Sequence, residues 1–247
     1  QEEYLGKGRF ELYKKGTITF SDLVNQNGRT LKISELTKIS PVAKVSNIPT
    51  IDFGYDGKFN KYVADIRDEA KIVIDKLPKP NNIKIEDWGL YNSSTKTLIT
   101  SSEIEPQRTF IHEYGHHLDI MLERDGKYSK INPSLRLFEP FDLDREIKSP
   151  ERSDIYLKVL NQKENTAYAG LHDIMDAQSN GQMQRKGYVG HGVDYWTDMG
   201  YNEENFANMF QMWSENGEIW NETKIIFPNT TKEFESIMKD VINGRLD

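Results

Sequence analysis

Between Lys58 and Leu77, apolar side chains recur at Phe59, Tyr62, Val63, Ile66, Ala70, Val73, Ile74 and Leu77, which predicts one amphipathic helix with a continuous stripe. The period then changes. After the turn residues PKPNN, the segments IKIEDW and KTLITS around YNSST read as strands joined by a turn. A further helix, opened by Glu105 and Pro106 in cap and first-turn positions, carries TFIHEYGHHLD. Residues 151 to 179 read as two helices ending at Gly181, with Leu171, Ile174 and Met175 on one face. A glycine-rich loop, GYVGHGVDYW, leads to a helix beginning near Glu203, whose stripe is Phe206, Met209, Phe210 and Trp213. The last helix is expected to start at a capping-box pattern, Thr230 to Glu233, to bury Phe234, Ile237, Met238 and Val241, and to stop at Gly244.

Residues 1–50 have a different texture. Short alternations such as TITF and the turn signal NQNG suggest brief strands in a small N-terminal strand/turn module, followed by a linker with prolines at 41 and 49. The expected division is therefore residues 1–50 and residues 51–247. Strands, a histidine-bearing helix and then more helices make an α+β order, with a small sheet packed on that helix.

Composition narrows the function classes. The chain has 247 residues, 36% of them hydrophobic and 11% aromatic, enough for a packed core. Its net charge of −7, without a Lys/Arg cluster, argues against a nucleic-acid partner for this domain. No apolar run approaches the roughly 18 residues of a membrane span, and QEEYLGKGRF lacks the basic-then-apolar order of a signal peptide. The chain contains no cysteine, so thiolate ligands and a cysteine nucleophile are excluded and any metal must be held by histidine and carboxylate.

Three of the five histidines fall within HEYGHHLD. On a helix His112 and His116, four apart, leave the same face and can converge on one ion, Zn2+ by the character of the ligands. Glu113 lies about 100° round the helix from His112, beside the ion and not on it, where its carboxylate can act as general base toward an attacking water. The reaction class is metal-assisted hydrolysis, with a peptide bond as the expected target. A third ligand is needed, and EENFANMF offers two adjacent glutamates. On the stripe alone, Glu203 lies roughly 60° from the buried face and Glu204 roughly 160° from it, so burial favours Glu203, whereas Ala207 offers a small surface for helix approach one turn after Glu204.

HEYGHHLD with ENFANMF resembles the gluzincin branch of the zincin metallopeptidases, in which a glutamate in a local E-x-F-A pattern on a later helix is the third ligand. For the active site the resemblance is to the catalytic domain of the anthrax lethal factor family. It implies a zincin-like fold, His112, His116 and Glu204 as zinc ligands, and Glu113 as base. That family has a tyrosine a few residues before the third ligand that donates to the oxyanion; no tyrosine matches its spacing here, and His191, Tyr195 and Tyr201 are the candidates. His117 is expected to point away from the metal, His172 to sit in the core, and Asp119 either to orient a ligand imidazole or to face solvent.

A second resemblance is spread from about residue 6 to residue 242. GKGRFELYKKGTITFSDLVNQNGRTLKISEL, HEYGHHLD, DIMDAQSNG, GHGVDYW and FPNTTKEFESIM are together similar to the C-terminal metallopeptidase-like region of minor capsid, or head morphogenesis, proteins of tailed phages. It implies a virion or bacterial host cytoplasm as the location, with a peptide or protein substrate and other phage head proteins as partners. Two alternatives belong to other classes: an inactive zincin serving as a structural part of a capsid, or a secreted lethal-factor-like toxin protease. Glu113, which a purely structural site does not need, favours catalysis over the first.

Overall fold

The structure is a computed structural model that describes residues 48–244 apart from 55–56, 104, 125–132, 146, 163–164, 179–199 and 216. The N-terminal module, all but its last three residues, lies outside the described residues. So does the glycine-rich loop.

The elements are α1 (Asp68–Lys76), β1 (Asn82–Glu86), β2 (Leu90–Asn92), β3 (Thr97–Ser101), α2 (Pro106–Arg124) and α3 (Pro133–Arg145). Then follow α4 (Pro150–Asn161), α5 (Ala169–Gln178), α6 (Gly200–Glu215), α7 (Glu218–Ile226) and α8 (Pro228–Asn243). This is an α+β chain, mostly helical among the described residues. None of the described helices is long and apolar enough to cross a membrane.

The stripe from Phe59 to Leu77 is buried at every position expected, yet it does not run along one helix. A 3-10 turn, Asn60–Val63, precedes α1, and Arg67 between them is extended (φ −60°, ψ 150°). Tertiary contacts make the break. The Arg67 N–H donates to the Ser214 carbonyl at the end of α6 (2.9 Å), and its guanidinium stacks over the Trp213 ring (4.6 Å). A backbone donor taken by another helix is lost to its own helical ladder.

The sheet also differs from expectation. The two long strands are not a hairpin: β1 pairs parallel with β3, Ile83 opposite Leu98, and the hairpin partner of β3 is the short edge strand β2, Tyr91 opposite Leu98. Asn92 Oδ1 closes that hairpin by accepting from Ser94 Oγ (2.7 Å) and Thr95 N–H (3.0 Å).

Helix α8 starts at Pro228, in a first-turn position, and not at Thr230. Its free N–H groups are met by a carboxylate from another helix: Asp144 of α3 accepts from Asn229 N–H (3.0 Å), Thr230 N–H (2.9 Å) and Thr230 Oγ1 (2.6 Å). Glu233, the other half of the expected capping box, accepts instead from Arg136 Nε (2.6 Å). The helix ends as expected at Gly244, left-handed at φ +63°.

The core runs on both sides of α2. Phe110 and Tyr114 pack with Phe53, ring centroids 5.3 and 5.7 Å away, and Phe110 also meets Phe59 and Tyr62. Across α6, Phe234 of α8 gathers Phe206, Trp213 and Trp220. Helices α2 and α6 cross closely at Gly115, where an added Cβ would lie 2.7 Å from the Ala207 Cα and 3.2 Å from its Cβ. They run antiparallel, since Arg108 at the start of α2 pairs with Glu215 at the end of α6 (3.0 Å).

An alanine in a helix interior gains up to about 1 kcal/mol over glycine from helix propensity alone. At this crossing the new methyl meets backbone that cannot turn aside, and overpacking of that kind costs about 1–3 kcal/mol. Gly115→Ala is therefore expected to lower stability by about 1–2 kcal/mol, read as an earlier urea midpoint at unchanged slope. A later midpoint would show that the two helices have room to part.

Candidate metal centre

The spacing in HEYGHH places side chains on two faces of α2. Residues 108, 112, 115 and 116 look toward α6, while residues 109, 113 and 117, each one turn apart, look toward the β1–β2 loop and β2. On the first face, Glu204 of α6 reaches between the imidazoles: its Oε2 is 3.2 Å from His112 Nε2 and its Oε1 is 3.3 Å from His116 Nε2. The two rings stand nearly perpendicular, centroids 4.9 Å apart. One donor atom from each of His112, His116 and Glu204 lies within 4.8 Å of the others, an arrangement that could hold a metal ion.

Glu204 is 4% exposed, whereas its neighbour Glu203 is exposed at the rim. The stripe argument that favoured Glu203 fails because α6 has no outward face here: every residue from Glu204 to Ser214 is buried. With core on one side and α2 on the other, position relative to the aromatic stripe does not report burial.

Burial opposes charge on all three groups, and their mutual attraction outweighs it. Burial alone would lower the His116 pKa, but the Glu204 carboxylate, helped by Glu113 and Asp119, pushes it up to about 9. His112 is raised above its ordinary value against burial, mainly by Glu204. Glu204, which burial would push up, is held well below the usual carboxylate range by His116 and His112.

The cleft over this cluster has a volume of about 390 Å³ and is lined by Gly89, Leu90, Tyr91 and Ser93 on the sheet side and by Glu113, Asp119, Ile120 and Glu203 beside the ligands. Glu113 is 7% exposed and sits at the cleft wall next to Gly89. The motif's remaining histidine turns away, as expected. His117 is fully buried; its Nε2 donates to the Pro78 carbonyl (2.6 Å), so its Nδ1 accepts from the Tyr91 hydroxyl (2.8 Å). Burial lowers its pKa to about 4, which keeps the ring neutral.

Asp119 does not face solvent. It is buried and accepts from the Ser134 N–H (3.2 Å) and hydroxyl in the first turn of α3; burial pushes its pKa up to about 7, and its charge lies close enough to His116 to raise that imidazole. His172 is buried in the core and donates from Nε2 to the Val159 carbonyl (2.5 Å), with its pKa lowered by burial. His191 and Tyr195 lie outside the described residues, as does the Tyr201 side chain. Sequence reasoning passed over Gly89 and Tyr91. Their only signal was the W-G-L-Y break between the two expected strands.

The chain matches no protein-family model, no curated protein and no solved structure with which it was compared.

Two outcomes follow from this geometry. A metal takes neutral imidazole, and His116, at about 9, carries a proton at pH 7. Zinc added at pH 7 should therefore release about one to two protons per ion, and apparent affinity should rise with pH until His116 is neutral near pH 9. Calorimetry in two buffers of different ionisation enthalpy counts the protons; a count of zero would contradict the charge state given to His116. In a zinc titration at fixed pH, Glu204→Gln should weaken binding by about 10²-fold or more, since it removes a ligand, while Glu203→Gln stays near the wild type. The reverse ranking would make Glu203 the ligand.

Proposed function

We propose that this domain is a zinc-dependent hydrolase of the gluzincin type, with a zincin-like fold, that cleaves peptide bonds. The observation that carries the reading is the meeting of His112, His116 and Glu204, from two helices, at a cleft whose wall holds Glu113. The donor set suits zinc, because two imidazoles and a carboxylate are ligand types that zinc takes, and one donor atom from each lies within 4.8 Å of the others. Three protein ligands leave a fourth position open, the arrangement of catalytic rather than structural sites.

Zinc supplies Lewis acidity, polarising a carbonyl oxygen and acidifying water. The rest belongs to the chain. His112, His116 and Glu204 would hold the ion, with Glu204 supplying the negative charge that neutral imidazoles lack. Glu113, on the adjoining face, accepts the proton of the attacking water and returns it to the leaving amine. Tyr91 lines the same cleft, but its hydroxyl is directed to His117 and so serves the fold.

The proposed setting is a minor capsid protein of a phage or prophage, with a peptide or protein substrate and other head proteins as partners; it rests on the ordered sequence pieces alone. The experiment that tests the chemistry is Glu113→Gln. An amide cannot take the proton, so the variant should keep its zinc and nearly its stability while peptide hydrolysis falls by about 10²–10⁴-fold. Equal hydrolysis by wild type and variant would remove Glu113 from the reaction.

A further inference from the structure

The Glu113 carboxylate touches a part of the protein that contributes no chemical group. Gly89 lies in the loop between β1 and β2, and a Cβ placed on it would stand 2.7 Å from Glu113 Oε1, 3.4 Å from its Cδ, and 2.4 Å from Thr109 Cγ2. Thr109 and Glu113 are one turn apart on α2, so the main chain at Gly89 lies close against the turn that carries the proposed base. No other residue type leaves that space.

The loop is held from both ends. Before it, the Glu86 carbonyl accepts from the Ser102 N–H (2.8 Å) and the Asp87 carbonyl from Ser101 Oγ (3.3 Å), tying the exit of β1 to the end of β3. After it, Tyr91 of β2 bonds to His117, one turn beyond Glu113 on the same face of α2. The loop is therefore pinned to the helix at Tyr91 and to the sheet at Glu86 and Asp87, with Gly89 pressed on Glu113 in between. Tyr91 and Gly89 line the same cleft as Glu113.

We infer that Gly89 is a positioning residue for Glu113: its bare main chain forms the wall that sets the carboxylate beside the metal-facing side of the cleft, and a side chain there would displace the base without touching the metal ligands. The inference rests on the reading of Glu113 as the base. It assigns to the β1–β2 loop the job that α6 performs for the ligands. The Glu113 oxygen, at the far end of a flexible side chain, gives way before the backbone does, whereas the Thr109 methyl sits on a stiff β-branched side chain, so Gly89→Ala moves Glu113 and also strains the loop against Thr109.

The test compares Gly89→Ala, Gly89→Ala with Thr109→Ser, and Glu113→Gln, all zinc-loaded. Thr109→Ser removes the methyl that the new Cβ would meet first, leaving only the contact with Glu113, so a folding defect of the single variant is relieved while the displacement stays. Three quantities are read: zinc per chain, the affinity for acetohydroxamate, and kcat separately from KM on a peptide substrate. Acetohydroxamate chelates the metal through two oxygens and gives a proton to the neighbouring carboxylate, so its affinity reports where that carboxylate is, independently of turnover.

Zinc content should be unchanged in all three variants. Acetohydroxamate binding should weaken by about tenfold or more in each, the loss of one charge-assisted hydrogen bond. In the Gly89 variants kcat should fall by about 10²-fold with KM little altered, the effect of a misplacement of about 1 Å. Wild-type acetohydroxamate affinity in both Gly89 variants, with weakened affinity in Glu113→Gln, would overturn the positioning role and leave the base in place. Wild-type affinity in Glu113→Gln as well would overturn the base itself, and the role of Gly89 with it.

Discussion

The close crossing of α2 and α6 at Gly115 and Ala207 is the constraint from which the rest of the centre follows. Glu204 is a short reach from the α6 backbone, and it meets His112 and His116 only because the two helices approach without side chains between them. The Gly115 position tolerates no Cβ at this separation. At the far end of the same seam, Arg108 and Glu215 pair at 3.0 Å, both partly buried, and resist rotation of one helix against the other. A glycine brings the helices together, and the ion pair sets their register.

Such a seam has an electrostatic consequence. A buried carboxylate is costly unless paired, by several kcal/mol in real proteins. Glu204 is paired before any metal arrives, with two imidazoles whose proton affinity it raises. The protons stand in for the ion. This lets the cluster assemble in a folded chain, and it would make metal entry an exchange of cations, with affinity for an ion tied to pH through the carboxylate proposed to bind it. On the proposed reading Glu204 is both a ligand and the group whose pairing lets the empty site fold.

Much of this was legible in the sequence, and the divisions are physical. The i, i+4 pair His112 and His116 could be read because helix periodicity is local, and the same holds for the buried stripes of α1, α6 and α8. What could not be read depends on neighbours distant in sequence. The break at Arg67 comes from the Ser214 carbonyl, the cap of α8 from Asp144, and the burial of Asp119 from Ser134. The parallel pairing of β1 with β3 was hidden by the brevity of β2, three residues that carry too little alternation to be seen. Helix α3 was not anticipated from the sequence, and Pro140 stands in its interior, where a helix is disfavoured. Burial failed as a guide to Glu204, because a helix enclosed on all sides has no stripe to measure from; the local E-N-F-A pattern pointed to it instead.

On the proposed reading two glutamates of like chemistry have opposite parts, and the difference lies in what faces them. Glu204 is enclosed by imidazoles that hold it ionised and fixed, which suits a ligand and disqualifies a base, since its charge is already committed to His112 and His116. Glu113 stands on the adjoining face of α2, toward the sheet, where its immediate neighbour is the bare main chain at Gly89. A base must take up a proton and release it within one reaction, so its carboxylate cannot be spent as a metal ligand. On the proposed reading, the ligand histidines and the base occupy faces about 100° apart on α2, one against α6 and the other against the β1–β2 loop, so that each can be fixed without constraining the other.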